Sequence, residues 1–96
     1  MPSAYIFANV DVQDPVAYGE YRRLSTLAMK AHGAEVCIRG GAHETLEGDP
    51  ALQRVVLLKF PSREAARAFY DSPEYTAARK AREGIAVMRM ALIEGV

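Results

Sequence analysis

From Ser3 to Val12, Ala4, Ile6, Ala8, Val10 and Val12 fall on one face of a period-two pattern, with Tyr5, Phe7, Asn9 and Asp11 on the other. Such alternation is the mark of a β-strand that turns one face to a core. Asp14-Pro15 then supplies an N-cap followed by proline at the first helical position, where its missing N–H costs nothing. Ala17, Tyr21, Leu24, Ala28 and Ala31 recur every three to four residues, leaving Glu20, Arg23 and Lys30 outward. A helix is therefore predicted from Pro15 until Gly33 ends it. Gly19 within it is unfavourable by roughly 1 kcal/mol relative to alanine, which the apolar face offsets.

Residues 35–39 form a short second strand, Gly40-Gly41 permits a bulge or bend, and extended chain resumes over 42–47 before the Gly48-Asp49-Pro50 turn. Arg54–Phe60 runs apolar up to Lys59 and reads as a central strand. Ser62 caps a helix bearing Ala65, Ala66 and Phe69. Ser72-Pro73-Glu74 repeats the start signal for a stretch reaching about Arg82. Gly84 ends it, and Ile85–Glu94 is the last strand. The order βαββαβ, with its second helix broken in two, predicts one α+β domain over residues 1–96. It would be ferredoxin-like, with a four-stranded antiparallel sheet and its helices on one face.

The opposite sheet face changes the picture. In the third strand Val55 and Leu57 oppose Val56, Leu58 and Phe60, and in the last strand both alternating sets are apolar apart from Arg89. An uncovered face of that kind would exceed the few hundred Å2 of apolar patch usual on a soluble monomer. A second copy, sheet against sheet about a two-fold axis, is the simplest cover. The place to look for a ligand is the cavity between sheet and helices. Asn9 and Asp11, sharing a face with Tyr5 and Phe7, and Arg39, His43 and Arg89 are the polar residues expected to reach it.

Half of the 96 residues are hydrophobic and a quarter charged, which is globular rather than disordered composition. Twelve Lys and Arg balance twelve Asp and Glu, so the basic excess usual for a nucleic-acid or anionic-membrane partner is missing. Cys37 is the one cysteine and cannot form an internal disulfide, so no oxidising compartment is called for. No apolar run reaches the roughly 18 residues of a membrane span. The start Met1-Pro2-Ser3-Ala4-Tyr5 lacks the pattern of a signal peptide. A cytoplasmic location is expected.

His43 is a candidate general base, set against a half-exposed strand residue. Tyr18 and Tyr21 are helix neighbours that could present a phenol to a cavity or simply pack. Arg39 and Arg89 could clamp a carboxylate, or face water. His32 and the Arg79, Lys80, Arg82 group sit where cations complement helix C-termini, and Cys37 reads as an inert small hydrophobe. CxxC, HExxH, GxGxxG, Walker and GxSxG patterns are absent. Two isolated histidines and one cysteine make no zinc site, so neither metal nor cofactor is expected. The strand order also suits an RNA-recognition motif, but Arg54–Phe60 lacks the glycine and paired aromatics its third strand needs.

With these residues in view, the chain resembles the DUF1330 family over nearly its whole length. The carriers are Ala4-Tyr5, Val10-Asp11-Val12 with Asp14-Pro15 and Tyr18, then Gly40-Gly41 with Leu46-Glu47-Gly48. The most specific run is Phe60-Pro61-Ser62, Ala65-Ala66, Phe69-Tyr70 and Ser72-Pro73-Glu74-Tyr75, with Arg82 beyond and Glu94-Gly95 at the end. Lys59 departs from the acid the family often carries there, and Phe69 from its tryptophan. The resemblance implies a dimeric α/β barrel and no established reaction. Its wider superfamily includes cofactor-free monooxygenases, muconolactone-type isomerases and haem-handling enzymes.

The expectation is a homodimer that binds a small, partly apolar molecule, with Tyr5, Phe7, Asn9, Arg39 and Tyr75 as candidate contacts. The alternative is a cofactor-independent oxygenase or isomerase acting on a small carbonyl or phenolic compound. In that case His43, Tyr18 or Asn9 would orient or deprotonate the substrate and Arg39 would hold an anionic group.

Overall fold

A computed structural model describes residues 2–96, so Met1, where the N-terminal reading begins, lies outside the described residues. The elements are β1 (Ala4–Val12), α1 (Tyr18–Ala31), β2 (Glu35–Arg39), β3 (Arg54–Phe60), α2 (Arg63–Asp71), α3 (Pro73–Ala81) and β4 (Ala86–Glu94). The strands form one antiparallel sheet in the order β2-β3-β1-β4, which is the ferredoxin-like α+β fold.

The alternation in β1 sets the two faces. Ala4, Ile6, Ala8 and Val10 are buried against the helices. The register aligns Ile6 with Leu58 and Leu92, Ala8 with Val56 and Met90, and Val10 with Arg54 and Met88. Phe60 of β3 and Phe69 of α2 pack at 5.2 Å between ring centroids, and Phe69 meets Tyr75 of α3 at 4.7 Å. Deleting such a ring from a close-packed core typically costs about 3–5 kcal/mol. On the other face lie Tyr5, Phe7, Asn9 and Asp11 of β1, Val55, Leu57 and Lys59 of β3, and Val87, Arg89, Ala91 and Ile93 of β4. Val87 is 59% and Ile93 51% exposed, so this sheet face is partly apolar and uncovered in the single chain.

Ser72 closes one helix and opens the next. Its hydroxyl donates to the Phe69 carbonyl at 2.7 Å and accepts from the Tyr75 amide at 3.1 Å, with Pro73 at the start of α3. Ser62 caps α2 in the same way, accepting from Ala65 N–H at 3.1 Å.

Several local expectations are corrected. The helix α1 begins at Tyr18 rather than Pro15. Asp14 does cap, its carboxylate accepting from Ala17 N–H at 3.1 Å, but residues 15–17 form a turn. Gly19 and Glu20 bond back three residues, to Val16 and Ala17, a tightened entry typical of helix ends. Residues 42–47 are not a strand. There the His43 ring meets the Leu52 carbonyl at 2.9 Å, and Thr45 accepts from Leu52 N–H at 2.9 Å. Side chains, not a ladder, tie this loop together. In β2 the register slips between Val36 and Ile38, leaving Cys37 as the extra residue of a bulge on an edge strand. Its thiol is exposed rather than packed among apolar neighbours.

Candidate functional site

The cavity between the sheet and the helices α1 and α3 has a floor of Ile6, Ala8, Val10, Val56, Leu58, Met88 and Met90. Tyr18 and Tyr21, one helical turn apart on α1, face it together with Tyr75 of α3. All three are buried. The Tyr21 and Tyr75 hydroxyls are 2.6 Å apart, and the Tyr75 hydroxyl also lies 3.6 Å from the Met90 sulfur. Behind them the Arg82 guanidinium stands 5.9 Å from the Tyr21 ring centre. Burial pushes the phenol pKa of Tyr21 and of Tyr75 upward, because the ionised form would be poorly solvated there. These phenols are neutral hydrogen-bonding groups at neutral pH.

The other end of the cavity is cationic. Arg22 of α1, Arg39 of β2 and Arg54 of β3 all line it. Burial raises the Tyr18 pKa too, while the positive charges of Arg54, Arg22 and Arg39 oppose that rise. Arg39 donates to the Thr26 hydroxyl at 2.6 Å. Gly40, at φ +68°, has no side chain where the Arg54 guanidinium lies. Arg22 and Arg39 also line a surface groove with Gly19, Arg23, Thr26 and Leu27, so they stand between the inner cavity and solvent. The cavity itself is about 30 Å3, room for roughly two waters.

Among the candidate residues, the structure brings Tyr18, Tyr21, Arg39 and Tyr75 to this cavity. Tyr5, Phe7 and Asn9 are on the opposite sheet face, contrary to the expectation that Asn9 and its neighbours reach the cavity. Residues of odd number in β1 point away from the helices, and the Asn9 amide is engaged with Gln53, accepting from its N–H at 2.8 Å and donating to its side chain at 3.3 Å. His43 is exposed in the loop after β2 and does not line the cavity. Arg89 pairs with Asn9 on the open face, so it forms no clamp with Arg39.

Arg22, Ser25 and Arg54 line the cavity although the sequence reading does not single them out. A signal for Arg54 exists: it shares parity with Val56, Leu58 and Phe60, and an arginine in a core-facing register is unusual. Arg22 is four residues after Tyr18, hence on the same helix face.

Among the described residues no cluster of three or more His, Cys, Asp or Glu could hold a metal ion. No helix of the described chain is long and apolar enough to cross a membrane.

The fold recurs in solved structures. A protein of unknown function from Rhodopseudomonas palustris superposes with a TM-score of 0.77 at 22% identity, covering 99% of this chain and 83% of that one. SnoaB, a cofactor-independent oxygenase from Streptomyces nogalater, gives 0.64 at 10% identity, with 97% and 92% covered. A dimeric protein of unknown function and ferredoxin-like fold from Bacteroides fragilis gives 0.65 at 10% identity, with 96% and 95% covered. At these identities the likeness is one of fold. No curated protein matches the chain. The model of the family described as Domain of unknown function (DUF1330) matches residues 3–96, and the protein belongs to that family.

Proposed function

We propose that this protein is a homodimeric binding protein of the dimeric α/β-barrel type, taking a small, partly apolar molecule between its sheet and helices. The observation that carries the reading is the cavity itself, with aliphatic and thioether walls and a few convergent hydroxyl and guanidinium groups. That mixture is the usual make-up of a small-molecule site. At about 30 Å3 it takes a ring-sized ligand only when the arginine side chains at its mouth swing outward, and Arg22 is exposed. The uncovered apolar sheet face supports dimerisation, as does the dimeric state of the Bacteroides fragilis protein of the same fold. A free, exposed Cys37 fits a reducing cytoplasm.

The alternative, a cofactor-independent oxygenase or isomerase acting on a small carbonyl or phenolic compound, draws on the fold shared with SnoaB. Proton abstraction needs a base. The cavity offers phenols whose pKa is raised, and His43 is outside it. Neutral phenols orient a substrate rather than deprotonate it, so binding is the better supported reading. Protein-dependent oxygen uptake with catechol, lost in Tyr21→Phe, would reverse that preference.

Two measurements test the proposal. Light scattering from high concentration down to nanomolar dilution should give twice the chain mass, and a monomer throughout would remove the dimer. Amide chemical-shift mapping with benzamide as probe should cluster changes at Tyr18, Tyr21, Tyr75 and Met88. Changes confined to the open sheet face would remove the cavity as the binding site.

A further inference from the structure

The mouth of the cavity gathers positive charge without a counterion. Arg22, Arg39 and Arg54 come from three different elements, and no acidic side chain lines the cavity or the groove outside it. The ion pairs among the described residues are Arg23 with Glu20, His32 with Glu74, and Arg67 with Asp71. None of the three mouth arginines takes part. Arg54 sits in the row of Val10 and Met88 on the helix-facing side of the sheet, and its Nε is buried with no hydrogen-bond partner, as are those of Arg79 and Arg82 outside the cavity. A guanidinium donor left unmade in a buried place is costly, and cations lining one cavity repel.

We infer, on the reading that the cavity is the ligand's seat, that the ligand is a small organic carboxylate. Its charged end is held by Arg54, Arg39 and Arg22 beside the Tyr18 hydroxyl, and its short apolar body points toward Tyr75. A carboxylate is planar and accepts the paired N–H groups of guanidinium in a fork. It satisfies the orphaned donor and cancels the mutual repulsion in one step. Inorganic phosphate would do so as well, but it would leave unused the apolar floor of Val10, Val56 and Met88 behind the arginines. The reach is short. Arg54 is on β3, while the Tyr75 hydroxyl contacts Met90 on β4. Two strand spacings separate them, about 10 Å, the span of one ring or a chain of a few carbons once the arginine side chains at the mouth move outward to admit it.

The Thr26 hydroxyl orients Arg39, and the bare Cα of Gly40 leaves room for Arg54. Arg39 and Arg54 are thus positioned by fixed neighbours, and Arg22 on α1 is the exposed member of the three.

The test is a titration of the protein with sodium benzoate, benzamide and inorganic phosphate at constant ionic strength, followed by the NMR signals of the arginine Nε–H groups. Benzoate is expected to saturate the Arg39 and Arg54 signals and to bind about tenfold or more tightly than benzamide, the difference one charge-assisted contact typically makes. Arg39→Met and Arg54→Met should each lower benzoate affinity to the level of benzamide, and Arg54→Lys should recover only part of it. Thermal melting shows which variants stay folded, and Arg39→Met serves if Arg54→Met does not. Equal binding of benzoate and benzamide would overturn the carboxylate assignment and leave the cavity standing. Phosphate binding as tightly as benzoate would overturn the organic ligand in favour of a general anion site. Saturation by neither benzoate nor benzamide would overturn the cavity reading along with it.

Discussion

The hydroxyl of Tyr21, on α1, lies 2.6 Å from the hydroxyl of Tyr75, on α3, in the buried layer between helices and sheet. The residues are 54 apart in sequence, so the bond ties together helices from the two halves of the chain. Both oxygens are removed from water, and each is the other's principal polar partner.

Removing one of these hydroxyls orphans the other. Tyr21→Phe is expected to destabilise the protein by about 1–2 kcal/mol, because a buried hydroxyl loses its partner. Tyr75→Phe should cost at least as much, since it leaves the Tyr21 hydroxyl without its partner and also loses the contact to the Met90 sulfur. The double variant should be more stable than the sum of the two single losses implies, with a coupling of at least about 0.5 kcal/mol. Urea denaturation of the four proteins measures it, and strict additivity would deny the bond any energetic role.

The same burial sets the alkaline limit of stability. Both phenols have their pKa raised in the folded chain, above the value near 10 expected when unfolded, about that of a free tyrosine. Above about pH 10 the unfolded chain therefore holds fewer protons than the folded one, and stability falls as pH rises. Below that pH these groups add no pH dependence. Tyrosinate absorbance should rise together with loss of the folded circular dichroism signal. In the double phenylalanine variant the alkaline slope should flatten.

Three glycines separate backbone strain from packing. Gly19 lies within α1 with open space around it, so Gly19→Ala should stabilise by up to about 1 kcal/mol. Gly33, at φ +65°, also has open space, and Gly33→Ala should cost about 1–2 kcal/mol from the left-handed backbone alone. Gly40 combines a similar φ with the Arg54 guanidinium in the way. Gly40→Ala should therefore cost more than Gly33→Ala in chemical denaturation, and equal losses would show that Arg54 simply moves aside.

A charge on the open sheet face discriminates monomer from dimer. Leu57 pairs with Phe7 across the strands, on the side without helices. Leu57→Lys leaves the folded single chain able to solvate its ammonium, but it would bury that charge in a sheet-to-sheet interface. The expected outcome is half the molar mass by light scattering with the circular dichroism spectrum retained. An unchanged dimer would place the interface elsewhere.

At the far end of α1, His32 meets Glu74 at 3.0 Å, bridging to the first turn of α3. The hydrogen bond from His32 holds the Glu74 carboxyl below its ordinary pKa. A depressed carboxylate contributes stability above its unfolded pKa, about 4.3, and loses it as pH falls through the lower folded value. A carbon-detected NMR titration should find Glu74 titrating below the usual glutamate range, and His32→Ala should move it up toward that range.

Much of the fold was legible in the order of residues because its causes are local. The alternation over Ala4–Val12, the Ser62 and Ser72 caps with Pro73, and the end of the third helix shortly before Gly84 each act within a few residues. The structure has them there. The second apolar face was legible too, since opposite parities in β3 and β4 cannot both meet the same helices. Where local signals competed, the neighbours decided. Asp14 and Pro15 are good helix-start residues, yet Gln13 and Asp14 N–H groups are held by the Ile85 carbonyl at 2.8 and 3.2 Å, and the regular helix waits until Tyr18.

The candidate site divides along the same line. Parity alone distinguished cavity-facing from outward positions in β1 and β3, and read strictly it puts Asn9 outside and Arg54 inside. What chain order could not supply was the bulge at Cys37, which sets the register by which Arg39 pairs with Val56. Nor could it supply the meeting of Arg22, Arg39 and Arg54, or of Tyr21 with Tyr75, residues tens of positions apart. Periodicity is a property of one strand or helix. The convergence of charges and hydroxyls depends on sheet order, register and helix packing, which only the closed chain has.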